Sequence, residues 1–471
     1  MDVLSAAFGL LAQTLAAWLL VRAALGRGDP LLRAGASWLL FAALTSSTAF
    51  VGMASGLTAN GLDALLPAIA LVAAIAVAHR VPPAAPATAP PDDDAPPLPP
   101  GLVTAAMRLG LGLAVTGAAV YTLHCTEGDV DAWAMWNTKA ALLAGRGADW
   151  PATAALLQDH YHPDYPLLLP AFHAQWLRMV GGPSVPVQIA IAWAFTLAGL
   201  LLLHGLLLRL RGVGWARLGA LVLGATPWYW SVGIGQMADV PLGGYALGAL
   251  GLAALALRQE TPPRAHLLLA GAFAAAAAWT KNEGMLFLLA LGLAALLPLR
   301  ALGLARWRRL ALPFAAGAAP VLAVTLWFKA TIAVDNDLVA AAADGDLAAL
   351  LLDPARWVAV AAFAFAELSK LGNGLFWVVA AAVLVSRWRA PQLPVRDAGT
   401  GWIAITMALW FAGYLLVYVV TPHDLQWHLS TSLRRLLVQL WIPGVLALLL
   451  ARGAPTPVSA RAAPPAAGPA R

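Results

Sequence analysis

Apolar runs of membrane-crossing length alternate with short charged or Pro/Gly-rich breaks from the first residues to position 451. The runs lack the apolar–polar alternation of barrel strands. In hydrocarbon, an open backbone satisfies its own N–H and C=O groups only as a helix. The pattern therefore predicts an all-α, polytopic transmembrane protein of about 13 spans, each near the ~20 residues a bilayer requires. They lie near 3–21, 34–54, 60–78, 102–123, 185–208, 218–234, 238–257, 265–280, 284–299, 310–329, 357–386, 401–420 and 433–451. The stretch around Pro166–Val180 predicts a further short helix dipping into the membrane. Residues 80–101, rich in proline and carrying Asp92-Asp93-Asp94, read as a cytoplasmic linker between a three-helix unit (1–79) and a core (102–451). The Pro/Ala-rich tail, 452–471, reads as disordered and cytoplasmic.

The basic residues orient this ladder. Arg22, Arg27 and Arg33 follow the first span, Arg209, Arg211 and Arg217 the fifth, and Arg258 and Arg264 the seventh. Arg300, Arg306, Arg308 and Arg309 follow the ninth, Arg387, Arg389 and Arg396 the eleventh, and Arg452, Arg461 and Arg471 the last. Their alternation marks these segments as cytoplasmic by the positive-inside bias, leaving the N-terminus outside and the C-terminus inside. All four lysines (Lys139, Lys281, Lys329 and Lys370), with Arg434 and Arg435, fall on or near the opposite face. Positive charge placed against the bias implies an anionic ligand or acidic partner, or else side chains snorkelling at the membrane edge.

Composition agrees. The chain is 61% hydrophobic and 11% charged over 471 residues, whereas a soluble domain is about a quarter charged. The net charge of +6 is scattered between apolar runs and forms no patch, which excludes a nucleic-acid surface. Cys125 is the single cysteine, so no internal disulfide forms. Asp2 and the absence of a basic leader make the first run a retained helix, not a signal peptide.

Chemistry concentrates in the outside loops. In the first large one, 124–184, Trp133, Trp136, Ala140 and Leu143 recur at helical spacing from Asp131 onward. This predicts an amphipathic helix lying in the interface with its tryptophans at headgroup depth. Asp131 then stands at the helix N-terminus at the membrane surface, while Asp129 suits a helix cap. Further on, His160, His162 and Asp164 precede Tyr165 and Pro166. Prolines favour extended backbone, so 160, 162 and 164 are expected to share one face, as weak metal ligands or as a loop shaped over a site. Gln236 and Asp239 precede Pro241, Trp279-Thr280-Lys281-Asn282-Glu283-Gly284 forms a tight break, and Thr421-Pro422-His423-Asp424 leads to Trp427-His428 and Arg434-Arg435. Ionisable groups at membrane depth carry a default functional hypothesis.

These segments resemble the GT-C membrane glycosyltransferases, especially bacterial relatives of the protein O-mannosyltransferases and the aminoarabinose transferase (glycosyltransferase family 39). The resemblance rests on Gly128 with Asp131-Ala132-Trp133, Trp136 and Lys139, and on His162-Pro163-Asp164-Tyr165-Pro166 through Pro170. Ala238-Asp239-Val240-Pro241, Trp279 to Gly284, and His428 to Arg435 extend it. It covers about residues 102–451 and leaves out the first three helices. It implies a GT-C-like core in a bacterial inner membrane, a polyprenyl-phosphate-linked sugar as donor, and a glycan, lipid or protein acceptor. It also implies an acidic residue in the first outside loop of the core. An adjacent Asp-Glu pair is replaced here by Asp129-Val130-Asp131, so either carboxylate can correspond.

The expected reaction is an inverting single displacement with Asp131 as general base and Asp129 as the other candidate. Lys281, Arg434, Arg435 and Lys139 are expected at the donor phosphate. Trp133, Trp136, His162, Asp164, Tyr165, Asp239, Glu283 and His428 are expected at the sugar and acceptor pocket. No cofactor or metal is required, although His160 and His162 keep a divalent ion open. A flippase of lipid-linked sugars, or a noncatalytic polyprenyl-phosphate-binding protein, would use the same cations. Transporters place charge at mid-membrane in repeated units, and no repeat is evident here.

Overall fold

The computed structural model describes residues 3–80 except 27, 99–296 except 260, 303–332, 347–385 except 375, 379, 382 and 383, and 398–451. Every regular element among them is helical. In chain order these are α1 (Val3–Leu25), α2 (Pro30–Ala54), α3 (Leu65–Arg80) and α4 (Pro100–His124). A π-helical turn (Ala132–Asn137) then runs into α5 (Thr138–Arg146), followed by α6 (Trp150–Gln158), α7 (Leu168–Val180) and α8 (Val185–Arg211). Next come α9 (Val213–Gly224), α10 (Pro227–Ile234), α11 (Asp239–Leu257), α12 (Arg264–Thr280) and α13 (Asn282–Leu296). The last are α14 (Leu304–Thr331), α15 (Leu347–Leu352), α16 (Pro354–Lys370), a 3₁₀ turn (Leu371–Gly374), α17 (Ala398–Val419) and α18 (Leu425–Ala451). Most of the linker expected at 80–101, the tail beyond 451, and Arg27, Arg300, Arg387, Arg389, Arg396, Arg452, Arg461 and Arg471 lie outside the described residues.

Among the described residues, eight helices are long and apolar enough to cross a membrane, and three further apolar helices are shorter. The chain is thus a multi-pass helical membrane protein. Several expected spans differ in form. The run at 218–234 is two helices, because Pro227 opens α10 and cannot continue α9. The run at 357–386 is interrupted where Gly372, Asn373 and Gly374 take φ of 59°, 54° and 83°. In contrast, α18 starts eight residues before the expected 433, so the His428–Arg435 motif is helical and not a loop. Asp424 sets this early start by accepting from Trp427 N at 2.7 Å.

The core centres on α11, whose apolar window is 94% buried; a helix apolar on every side belongs in the middle of a bundle. It packs against α8, α12, α17 and α18. The N-terminal helices share this core: Tyr245 on α11 donates to the Leu39 carbonyl at 2.9 Å, and Trp279 Nε1 donates to Ser46 Oγ at 2.9 Å. By contrast α4 is 11% buried and α14 22% buried over their apolar windows, leaving most of their surface for lipid.

Helices α12 and α14 approach backbone to backbone. A Cβ added at Gly271 would stand 1.9 Å from the Phe314 carbonyl oxygen, and one at Gly317 would stand 1.9 Å from that of Leu268. Small residues permit such contact between helices in lipid. Gly271→Val is expected to destabilise the protein by at least ~1–3 kcal/mol, the usual cost of overpacking. A fall in the thermal unfolding midpoint of the purified chain in detergent checks this.

One end of the bundle is closed by arginine. Arg209 donates to the Leu25 carbonyl at 3.0 Å and Arg211 to that of Leu449 at 2.9 Å, while Arg258 donates to that of Leu210. These are terminal carbonyls of α1, α8 and α18, where a cation complements the helix dipole. The helices α11 and α18 begin at the opposite end, with Asp239 and with the His428–Arg435 motif.

Candidate functional site

At that opposite end the loops enclose a cavity of about 1130 Å³. Its lining draws on every polar island of the sequence: Asp129 and Asp131; His162 and Tyr165; Lys281 and Glu283; and His428, Arg434 and Arg435. Ser231 and Met237 represent the island around Gln236 and Asp239. The lining carries four cations (Lys281, Lys329, Arg434, Arg435) against three carboxylates (Asp129, Asp131, Glu283), a formal excess of one positive charge.

The loop that places the two aspartates is held by geometry. Gly128 has φ 82°, and a Cβ there would come within 2.8 Å of the Gly235 carbonyl oxygen. Asp129 N donates to that oxygen at 3.0 Å. Gln236, itself left-handed at φ 61°, donates to the Thr126 carbonyl at 2.8 Å and accepts from Asn137 at 2.7 Å. The Asp129 carboxylate is engaged locally, accepting from Val130 N at 2.7 Å. Asp131 makes no capping bond. Its carboxylate accepts from Arg435 Nη1 across 304 positions of sequence.

The π-turn changes the expected surface helix. Thr138 Oγ1 donates to the Trp133 carbonyl at 2.5 Å, and the wider turn rotates the following residues inward. Trp133 remains 52% exposed, but Trp136 is 1% exposed and stacks on Tyr165 with ring centroids 5.8 Å apart. Trp136 is therefore a buried support for Tyr165 and not a headgroup anchor. Lys139, expected at the donor phosphate, is 1% exposed and donates Nζ to the His162 carbonyl at 2.5 Å. It is turned into the protein and does not line the cavity.

The expected extended strand through 160–164 is a turn. His162 takes φ 49°, Tyr165 N donates to its carbonyl at 3.2 Å, and its ring stacks on Tyr165 at 4.9 Å. Asp164 is buried and accepts from Asn282 Nδ2 at 2.5 Å. Of the three, His162 lines the cavity and His160 and Asp164 do not. Among the described residues, no group of three His, Cys, Asp or Glu side chains is arranged to hold a metal ion.

In the cavity wall Lys281 and Glu283 belong to a charge cluster that reaches back to the buried Asp239. Lys281, the non-helical residue between α12 and α13, sits 3.1 Å from Asp239 Oδ1 and 2.9 Å from Glu283 Oε1. Asp239 is 1% exposed and also accepts from Gln439 Nε2 at 2.5 Å, while Gln439 accepts from Tyr414. Lys281 is thus saturated by protein carboxylates and is a structural centre more than a free phosphate contact. Glu283 Oε2 is buried and has no hydrogen-bond partner among the described residues. Arg434 lies over the Trp228 ring at 4.6 Å and 3.4 Å from Glu367. His428 is fixed by Thr421 at 2.8 Å.

Sequence reasoning left out Lys329 and Asn282, which line the cavity, and Gln439, Glu367 and Tyr414, which hold its charged groups. Lys329 carried a signal as a lysine on the arginine-poor face. Gln439 and Tyr414 sit inside apolar runs and carried none.

The fold and site together define a multi-pass helical membrane protein with a charged cavity at one end of the bundle. No family model, curated protein or solved structure matches the chain.

Proposed function

We propose that this protein is a GT-C-like membrane glycosyltransferase that moves a sugar from a polyprenyl-phosphate donor to an acceptor hydroxyl. The observation that carries the reading is the Asp131–Arg435 contact in the cavity wall. It puts a carboxylate able to take a proton beside a guanidinium able to hold a departing phosphate. The cavity volume, about 1130 Å³, exceeds the ~300–1,000 Å³ of ordinary ligand pockets, which suits a sugar donor and an acceptor together.

In this reading the donor phosphate lies against Arg434 and Arg435, and the prenyl tail runs along the apolar lining of Met285, Leu286, Val417 and Leu436. Asp131 takes the proton from the acceptor hydroxyl as its oxygen attacks the anomeric carbon. The carbon–oxygen bond to phosphate breaks, polyprenyl phosphate leaves, and configuration inverts. One of the five guanidinium N–H donors of Arg435 goes to Asp131; the others serve the phosphate oxygens, where fixed positive charge lowers the barrier. Arg435 drawn toward phosphate also loosens its hold on Asp131, so donor binding frees the base. Glu283, Tyr165 and His162 shape the pocket. The cavity faces the outside of a bacterial inner membrane, with the arginine-closed end in the cytoplasm and the N-terminus outside.

The test is the native chain reconstituted with polyprenyl-phosphate-linked sugars and a membrane extract supplying glycan, lipid and protein acceptors. Sugar covalently joined to an acceptor, with release of polyprenyl phosphate, is the expected result. Movement of intact lipid-linked sugar between leaflets without transfer would replace this reading by a flippase. Arg435→Gln is expected to raise the donor KM by ~10–100-fold, the scale of a charge-assisted contact of ~1.5–3 kcal/mol. Donor titration of initial rates checks it, and an unchanged KM removes Arg435 from the phosphate site.

A further inference from the structure

Two lysines spend their charge on the backbone of one loop. Residues 159–167 join α6 to α7, and within them Tyr161, His162 and Tyr165 line the cavity. From one side, Lys139 on α5 donates Nζ to the His162 carbonyl at 2.5 Å. From another, Lys329 near the end of α14 donates Nζ to the Asp164 carbonyl at 2.5 Å and to Asn282 Oδ1 at 2.7 Å. Asn282 Nδ2 closes the circuit by donating to Asp164 Oδ2 at 2.5 Å. Two carbonyls, two residues apart, are thus each gripped by an ammonium from a different helix. The His162 carbonyl accepts a second bond from Tyr165 N, so both of its lone pairs are used. These hydrogen bonds need an N–H on each nitrogen, which a lysine amine keeps in either protonation state. Here they maintain a left-handed non-glycine residue, His162 at φ 49°, a conformation that persists only where its surroundings enforce it.

We propose that Lys139 and Lys329 are positioning residues that strap the 159–167 loop over the cavity and set where His162 and Tyr165 stand. The catalytic consequence rests on the transfer reading above; the strap itself does not. It also accounts for two lysines on the arginine-poor face without a ligand.

The strap has a pH signature of known sign. Burial holds the Lys139 amine down to about 8; Asp164 opposes this and Lys329 adds to it. The other titratable group acting there is His160, whose imidazole is held low by burial and then by Lys139. With the loop open, Lys139 regains water and its ordinary value of 10.5. The closed loop therefore binds fewer protons than the open one between these values, and closure gains population as pH rises through 8.

Amide hydrogen exchange on the full chain in detergent, corrected for the intrinsic chemical rate, tests this. Opening at the Tyr165 amide is expected to become ~10-fold rarer from pH 7 to pH 9. Lys139→Met is expected to flatten that dependence. Lys329→Met is expected to raise opening ~10-fold at pH 7 and to weaken the pH dependence, since Lys329 helps hold the Lys139 amine down, and Lys329→Arg is expected to restore most of the protection. Lys329→Met matching the native chain would overturn the proposal, and a native loop equally protected at pH 7 and 9 would overturn its Lys139 half. Should Lys329→Met fail to fold, Lys329→Gln takes its place, since it removes the charge and shortens the reach to the Asp164 carbonyl. The readout uses no substrate, so a strapped chain that transfers no sugar would count against the glycosyltransferase reading alone.

Discussion

Asp131→Asn is expected to lower sugar transfer by ~10²–10⁴-fold, the range that positioned proton transfer contributes, with the donor KM changed by less than about 3-fold. Asparagine keeps the shape of the side chain and still accepts from Arg435, so the cavity and its phosphate contacts persist. What it loses is the capacity to take a proton. The comparison variant is Asp129→Asn, whose carboxylate is already used by Val130 N at 2.7 Å. That change is expected to cost less than ~10-fold. Initial rates with saturating donor and a fixed acceptor decide between them. Parental activity in Asp131→Asn would refute the base assignment, and a larger loss in Asp129→Asn would move the role two residues upstream.

The second large effect is on stability. Asp239→Ala is expected to destabilise the fold by ~3–5 kcal/mol, because it leaves a buried ammonium without the more deeply buried of its two carboxylates. Asp239 is 1% exposed and Lys281 4% exposed, with 3.1 Å between them. Glu283 remains at 2.9 Å from Lys281, but Gln439 Nε2 loses its acceptor as well. The double variant Asp239→Ala with Lys281→Met should recover much of the loss, since removing both members of a buried pair is often close to neutral. Denaturant unfolding in detergent measures both. Equal stability of Asp239→Ala and the native chain would show that the cluster is not held by this pair.

The two effects belong to neighbouring parts of one wall. Asp131, Arg435 and Lys281 line the cavity; Asp239 and Gln439 lie behind Lys281 and tie the starts of α11 and α13 to the middle of α18. A rigid charged backing of this kind keeps the reacting groups oriented before substrate arrives.

Much of the architecture was legible in hydropathy alone. The ends of α4, α8, α11 and α12 fall within a few residues of the runs at 102–123, 185–208, 238–257 and 265–280, because a helix in lipid is specified locally by apolar length and by Pro and Gly breaks. The charged islands were legible too, since ionisable groups stand out against so apolar a chain. Less visible was which islands meet and how. Periodicity put Trp136 beside Trp133, but the π-turn buried one and left the other exposed. Proline content suggested extended backbone through His162, whereas two lysines from α5 and α14 hold it in a turn.

By itself, the sequence determined that the chain is helical, apolar over most of its surface, and armed with acids and bases at the helix ends, since composition and local spacing carry all of that. Only the tertiary structure decided that Asp131 meets Arg435, that Lys281 meets Asp239, and that Lys139 turns inward. Those pairings span tens to hundreds of positions, and they arise from how helices pack around α11, which no local pattern encodes.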